Sequence, residues 1–307
     1  MISAPTTVVA WHVPWAAYHS VYLTTFVLEL PMPYLKTTAA PTTDLYFEDS
    51  GGTGQPVVLI HGWPLSHTMW EGQVNALTAA GYRCVSYDRR GFGESGKATG
   101  GYDYDTFASD LNDLLESQEL RNVVLVGFSM GGGEVARYIG RYGEGRVSKA
   151  VLASSVTPFL LKTADNPDGV PKAQFDGMVA SVTKDRITFL DEFFPLFFKG
   201  GLLAPKASDD VILHAKTVAW RASPLGTRRC IVAFGETDFR ADLGRFNVPT
   251  LVVHGEHDMT VPFDKSGKLV REFVKHAKVE VIGGAPHGLT ATHSEELNKI
   301  LLEFLKS

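Results

Sequence analysis

The chain has 307 residues, 44% of them hydrophobic and 21% charged, which are proportions of a globular protein rather than a disordered one. A net charge of -5, a pI near 6.1 and basic residues scattered apart from short pairs such as Arg89-Arg90 argue against a nucleic-acid partner. Two cysteines, Cys84 and Cys230, are too few for a disulfide framework, and the ten histidines include no HxxxH pair and no Cys/His cluster, so neither a metal nor an organic cofactor is expected.

Residues 1–31 contain no Lys or Arg, so the cationic start of a secretory signal is missing. Pro5, Pro14 and Pro31 break the apolar stretches short of a membrane span. This segment reads as an N-terminal extension, disordered or preceding a start at Met32, and the expected location is cytoplasmic with no membrane partner. From Tyr34 the organisation becomes regular. Tyr34–Thr38 and Asp44–Glu48 alternate as half-buried strands do. Continuous apolar runs follow at Val57–Ile60, Arg83–Tyr87, Val123–Val126, Val147–Ala153, Thr250–Val253 and Lys278–Ile282, with helical patterns such as Trp70–Ala80 and Tyr104–Gln118 between them. Short apolar runs separated by helices predict an α/β fold: a mostly parallel sheet with helices on both faces. Between Thr157 and Asp238 the rhythm changes to helical stretches, Pro171–Val182 and Asp185–Phe198, rich in phenylalanine. We read 157–238 as a helical cap inserted into a core formed by 32–156 and 239–307.

Gly127-Phe128-Ser129-Met130-Gly131 matches G-x-S-x-G, a short motif that gains weight from its context. The strand Val123–Val126 leads in and a helix pattern, Gly133–Tyr142, leads out, as in the sharp turn that exposes a nucleophilic serine. Such a turn leaves no room for a Cβ at either flanking glycine. A serine hydroxyl needs a base, and the base an orienting carboxylate. Asp258 and His287 follow the two later strands, at the same sheet edge as Ser129, in the order Ser, Asp, His. The rival histidines His254, His257 and His293, and the rival acids Asp238 and Asp264, fit that placement less well. His61-Gly62-Trp63-Pro64 follows the first apolar run, where the backbone N–H of Trp63 would complete an oxyanion hole with that of Met130. Pro64 has no N–H and restricts the residue before it, which would direct the Trp63 carbonyl beside the amide that faces the oxyanion, a candidate tuning position. Asp88-Arg89-Arg90-Gly91 reads as a loop fastened by ion pairs.

These residues, extended by His61–Ser66, Tyr87–Gly93, Gly127–Tyr138, Phe234–Phe239 and Gly284–Thr290, make the chain from Met32 onward similar to the cofactor-free haloperoxidase, perhydrolase and aryl-esterase branch of the α/β-hydrolases. The resemblance implies the α/β-hydrolase fold and hydrolysis of small esters through an acyl-enzyme. It also implies a peroxide-dependent side reaction giving peracids that oxidise halide, and a homo-oligomer. Gly235 stands where the family usually carries Ala or Ser, and residues 1–31 have no counterpart. Lactone or γ-lactam hydrolysis would use the same residues and stays open. Dehalogenases and epoxide hydrolases place Asp at the position of Ser129, and a binding protein on this scaffold would be expected to lack a member of the triad.

Overall fold

The computed structural model describes residues 33–307, so the extension expected at 1–31 lies outside the described residues. The central apolar runs become strands whose side chains are covered on both faces, while the edge run Lys278–Ile282 pairs with only one neighbour and stays partly exposed. Strands β3 (Pro56–Ile60), β5 (Val123–Phe128) and β7 (Thr250–Gly255) are buried almost throughout. With β1 (Tyr34–Lys36), β2 (Asp44–Asp49), β4 (Arg83–Tyr87), β6 (Val147–Ala153) and β8 (Lys278–Ile282), the described residues form one eight-stranded sheet in the order β1-β2-β4-β3-β5-β6-β7-β8. β1, β2 and β4 pair antiparallel, and every later pairing is parallel.

The covering helices are amphipathic. α1 (Glu71–Ala79) is followed by α2 (Tyr104–Ser117), which starts where the Asp103 carboxylate accepts the Thr106 N–H at 2.9 Å. α2 buries Phe107, Leu111, Leu114 and Leu115, at the i, i+4, i+7 and i+8 spacing of one face. α10 (Ser294–Lys306) repeats this spacing with Leu297, Leu301, Phe304 and Leu305.

α3 (Met130–Tyr142) starts three residues earlier than the pattern Gly133–Tyr142 indicates. Its first turn is glycine because it lies against β3: a Cβ on Gly131 would stand 2.3 Å from the Ile60 carbonyl oxygen. Glycine hides the helix start from a reading of periodicity, while close packing requires it.

Between β6 and β7 the chain builds α4 (Lys172–Phe197), α5 (Asp209–Arg221), α6 (Pro224–Glu236) and the short α7 (Arg240–Leu243). α4 breaks at Asp185, whose carboxylate then caps the Thr188 N–H at 3.0 Å. The break falls between the two helices expected there. Single turns α8 (Val270–Phe273) and α9 (Leu289–Thr292) complete the set.

The buried charges of the segment after β4 are each met by a partner. Arg89, 1% exposed, meets Glu134 of α3, 0% exposed, at 2.7 Å; Tyr87 donates to the same carboxylate. Arg90 is held equally deep by Asp110 of α2 at 2.6 Å. Asp88 accepts the His67 N–H at 2.7 Å and the Glu94 N–H at 2.8 Å, so the segment 88–91 is fastened as the sequence suggested. Removing one partner of a buried pair strands the other charge. Glu134→Ala is therefore expected to lower the unfolding free energy by about 3–5 kcal/mol in urea denaturation. A loss below about 1 kcal/mol would show that the Arg89 pairing contributes little to the fold.

Candidate active site

Parallel register brings the sequence-designated residues to one edge. Ile60 pairs with Gly127, so the segment starting at His61 leaves β3 beside the turn that carries Ser129. Gly255 pairs with Ile282, and the loops beyond run side by side, with the His257 N–H donating to the Ala285 carbonyl at 2.9 Å. Asp258 and His287 follow on these adjacent loops.

Ser129 has φ +54° and ψ -116°, a left-handed conformation that side chains avoid. The turn tolerates it because its flanks are bare: a Cβ on Gly127 would meet the Gly131 carbonyl oxygen at 2.3 Å. Ser129 Oγ lies 2.9 Å from His287 Nε2, and His287 Nδ1 lies 2.6 Å from Asp258 Oδ2. All three residues are buried, Ser129 at 6% exposure, Asp258 at 5% and His287 at 1%.

The Asp258 carboxylate is fully engaged. Its Oδ1 accepts the N–H groups of Thr260 at 3.0 Å and Val261 at 2.8 Å. Its Oδ2 also has His254 Nε2 at 3.3 Å. Burial alone would raise its pKa; the charge of His287 and the hydrogen bonds from both histidines outweigh burial and hold the carboxyl well below the usual carboxylate range. His254 Nε2 approaches the Val261 carbonyl at 2.8 Å; since a carbonyl only accepts, that nitrogen carries the proton. Sequence reasoning set His254 aside as a decoy, yet it braces Asp258; the spacing of four from His254 to Asp258 could have suggested the contact. The remaining rivals lie apart: Asp238 pairs with Arg240, Asp264 with Lys268 and His257 with Glu256, while His293 immediately precedes α10.

The segment 61–65 presses on the serine. A Cβ on Gly62 would fall 2.6 Å from Phe128 and 3.1 Å from Ser129 Cβ, and the next residue, Trp63, lines the same cavity as Ser129. Met130, as the first residue of α3, has an N–H with no acceptor inside the helix. Pro64 is buried, the Trp63–Pro64 peptide is cis, and the Leu65 N–H closes a turn on the Gly62 carbonyl at 3.0 Å. The Trp63 indole donates to the Thr227 carbonyl of α6 at 3.0 Å. Ser129 and His287 line a cavity of about 510 Å³ walled by Trp63, Leu160, Phe175, Phe193, Phe234 and Val261.

The model of the family described as alpha/beta hydrolase fold matches residues 55–293. The chain belongs to this family. Among curated relatives, the non-heme chloroperoxidase CPO-A1 of Kitasatospora aureofaciens is 43% identical over 87% of this chain and 98% of its own length. The bifunctional esterase/perhydrolase DCH of Acinetobacter calcoaceticus is 40% identical over 88% of this chain and 99% of its own. A solved bromoperoxidase from Bacillus anthracis shares 52% identity at a TM-score of 0.84, covering 89% of this chain and all of that one. These likenesses place this hydrolase among enzymes, in the branch that holds the non-haem haloperoxidases and esterases.

One residue behind the site escaped sequence reasoning as a titrating group. The Arg89 N–H donates to His61 Nε2 at 2.9 Å, and His61 Nδ1 stands 2.8 Å from the Gly62 carbonyl. An amide only donates, so Nε2 is unprotonated and Nδ1–H donates to Gly62: this hydrolase holds His61 neutral. Burial and the Arg89 charge push its pKa down to about 3. An unfolded histidine titrates near 6.5, so the stability gained from the neutral ring is full above that value and is lost as pH falls towards 3. Between pH 6.0 and 4.5, the wild type should lose about 2 kcal/mol more unfolding free energy than His61→Gln, measured by urea denaturation. Equal losses in the two proteins would mean that His61 is not held neutral.

Proposed function

We propose that this hydrolase cleaves small carboxylic esters through a covalent acyl-enzyme on Ser129. The observation that carries the proposal is the unbroken chain of hydrogen bonds from Ser129 Oγ through His287 to Asp258, set at the wall of an apolar cavity. His287 Nε2 takes the hydroxyl proton as Oγ attacks the ester carbonyl carbon, and the ionised Asp258 stabilises the imidazolium. The tetrahedral oxyanion accepts the N–H groups of Trp63 and Met130. As the C–O bond breaks, His287 returns the proton to the leaving alcohol. Water then repeats the sequence in reverse, giving the acid and free serine.

Hydrogen peroxide in place of water would release the acyl group as a peracid, an activity that the similarity to an esterase/perhydrolase supports. We assign residues 157–238 as a cap over this chemistry, since Phe175, Phe193 and Phe234 of the insertion line the same cavity as Ser129. Carbon-rich walls favour acyl and alcohol groups that shed water readily.

Ser129→Ala should reduce turnover of p-nitrophenyl acetate by more than about a thousandfold and abolish fluorophosphonate labelling, with the melting temperature little changed. Activity within tenfold of wild type would refute the nucleophile. Pro64 bears on the second acceptor. We propose that its missing N–H and fixed ring direct the Trp63 carbonyl towards an attacking peroxide O–H. Pro64→Leu should then lower the ratio of peracetic to acetic acid formed from one acetate ester at fixed peroxide. An unchanged or higher ratio would leave Pro64 as a turn residue only.

A further inference from the structure

The cavity that holds Ser129 and His287 is lined mainly by carbon, and no Asp or Glu is among its lining residues. It contains one cation. Lys265 ends a single helical turn, Phe263–Lys265, seven residues past Asp258, and is neither fully buried nor fully exposed. Among the described residues no ion pair within 4.0 Å involves its ammonium. The acids nearest in sequence are committed elsewhere: Asp264 to Lys268 at 2.7 Å, and Asp258 to His287, His254 and two backbone N–H groups. Gln174 of α4 lines the same cavity from its exposed rim and adds an amide donor.

An unpaired ammonium beside apolar walls is not neutral towards what enters. Low-dielectric surroundings strengthen its field, and its three N–H donors favour an anion over a neutral chain of equal length. A purely hydrocarbon substrate gains nothing from it and competes with its hydration. We propose that this hydrolase selects esters or lactones that carry a carboxylate remote from the scissile carbonyl, with Lys265 and Gln174 receiving that carboxylate. The proposal rests on the esterase reading above and assigns its substrate class. Lys265 is then a specificity residue, separate from the groups that handle the proton and the oxyanion.

The carboxylate could sit on the acyl part or on the alcohol part, and two arms separate these cases. In the first arm, kcat/KM is compared for monomethyl glutarate against methyl pentanoate and for monomethyl adipate against methyl hexanoate. In the second, 4-acetoxybutanoate is compared with butyl acetate. At pH 7.5 and low salt the added carboxylates are ionised. In at least one arm the wild type should prefer the anionic ester by about fivefold, the upper range for a partly exposed ion pair. That preference should fall towards one in Lys265→Met, invert in Lys265→Glu, and shrink in about 0.5 M sodium chloride. No anionic preference in the wild type in either arm, or a preference that changes less than about threefold in Lys265→Met, overturns the proposal. Failure of the esterase reading looks different: the wild type would not turn over the neutral esters, or Ser129→Ala would turn them over as well.

Discussion

The hydrogen bond from the Arg89 N–H to His61 Nε2 fixes the segment that passes beside the serine. Its direction cannot reverse, because a backbone amide has only a proton to offer. The opposite ring nitrogen must therefore donate, and the Gly62 carbonyl is where it points. The Arg89 side chain secures the other side of the same residue: it donates to the His61 carbonyl at 3.0 Å, meets Glu134, and lies over the Phe107 ring at 5.3 Å. A buried ion pair on α3 thus sets the backbone of 61–63. Glycine at 62 lets that backbone touch Phe128 and the serine. The Met69 sulfur takes the remaining Gly62 N–H at 3.5 Å. Donors for a developing charge must be held in place before it forms, and the segment that carries the proposed Trp63 donor is held by groups removed from the serine.

The acid is organised by the same logic with the opposite sign. A carboxylate only accepts, and Asp258 is surrounded by donors: two backbone N–H groups, His287 and His254. Each fixes its orientation and favours its ionised form. His254 connects this shell to the loop beyond through the Val261 carbonyl, and Phe263 lies against its ring at 5.4 Å. The arrangement depends on β7 and β8 ending level, since a shift of one residue would send the loop after Gly255 away from that after Ile282.

The helical insertion joins this frame through aromatic contacts. The Trp63 ring meets Phe193 at 5.4 Å and Phe234 at 5.7 Å, both near edge-to-face, while its N–H is tied to α6. Phe197 of α4 lies 4.9 Å from the His287 ring, and Phe128 lies at the same distance on another side. One helix, α4, therefore supplies both a wall of the cavity, through Phe193, and packing for the candidate base, through Phe197. Substitutions in α4 can reach the imidazole without touching a substrate.

The strands were legible in sequence because burial on both faces of the central ones demands short apolar runs, and all six later runs became strands, the partly exposed edge strand β8 included. The contact of Ser129, Asp258 and His287 was legible because a nucleophilic serine, a base and an orienting acid are each expected just after such strands. The gap between the two helical stretches of the insertion was visible in the same way, and there the Asp185 carboxylate restarts the helix. Other features left little or no trace in local pattern. The start of α3 lay hidden in glycines, His61 read as an oxyanion-loop residue, and His254 as a decoy. Lys265 was one lysine among many. Most depend on partners far along the chain: Ile60 beneath Gly131, Arg89 above His61, and α4 on the cavity that Lys265 lines, while His254 meets Val261, seven residues on, through the turn of the loop after β7. Periodicity and motif report what a residue needs from its immediate neighbours. The direction of a proton, or a charge left without a counter-charge, is settled only when distant segments are brought together.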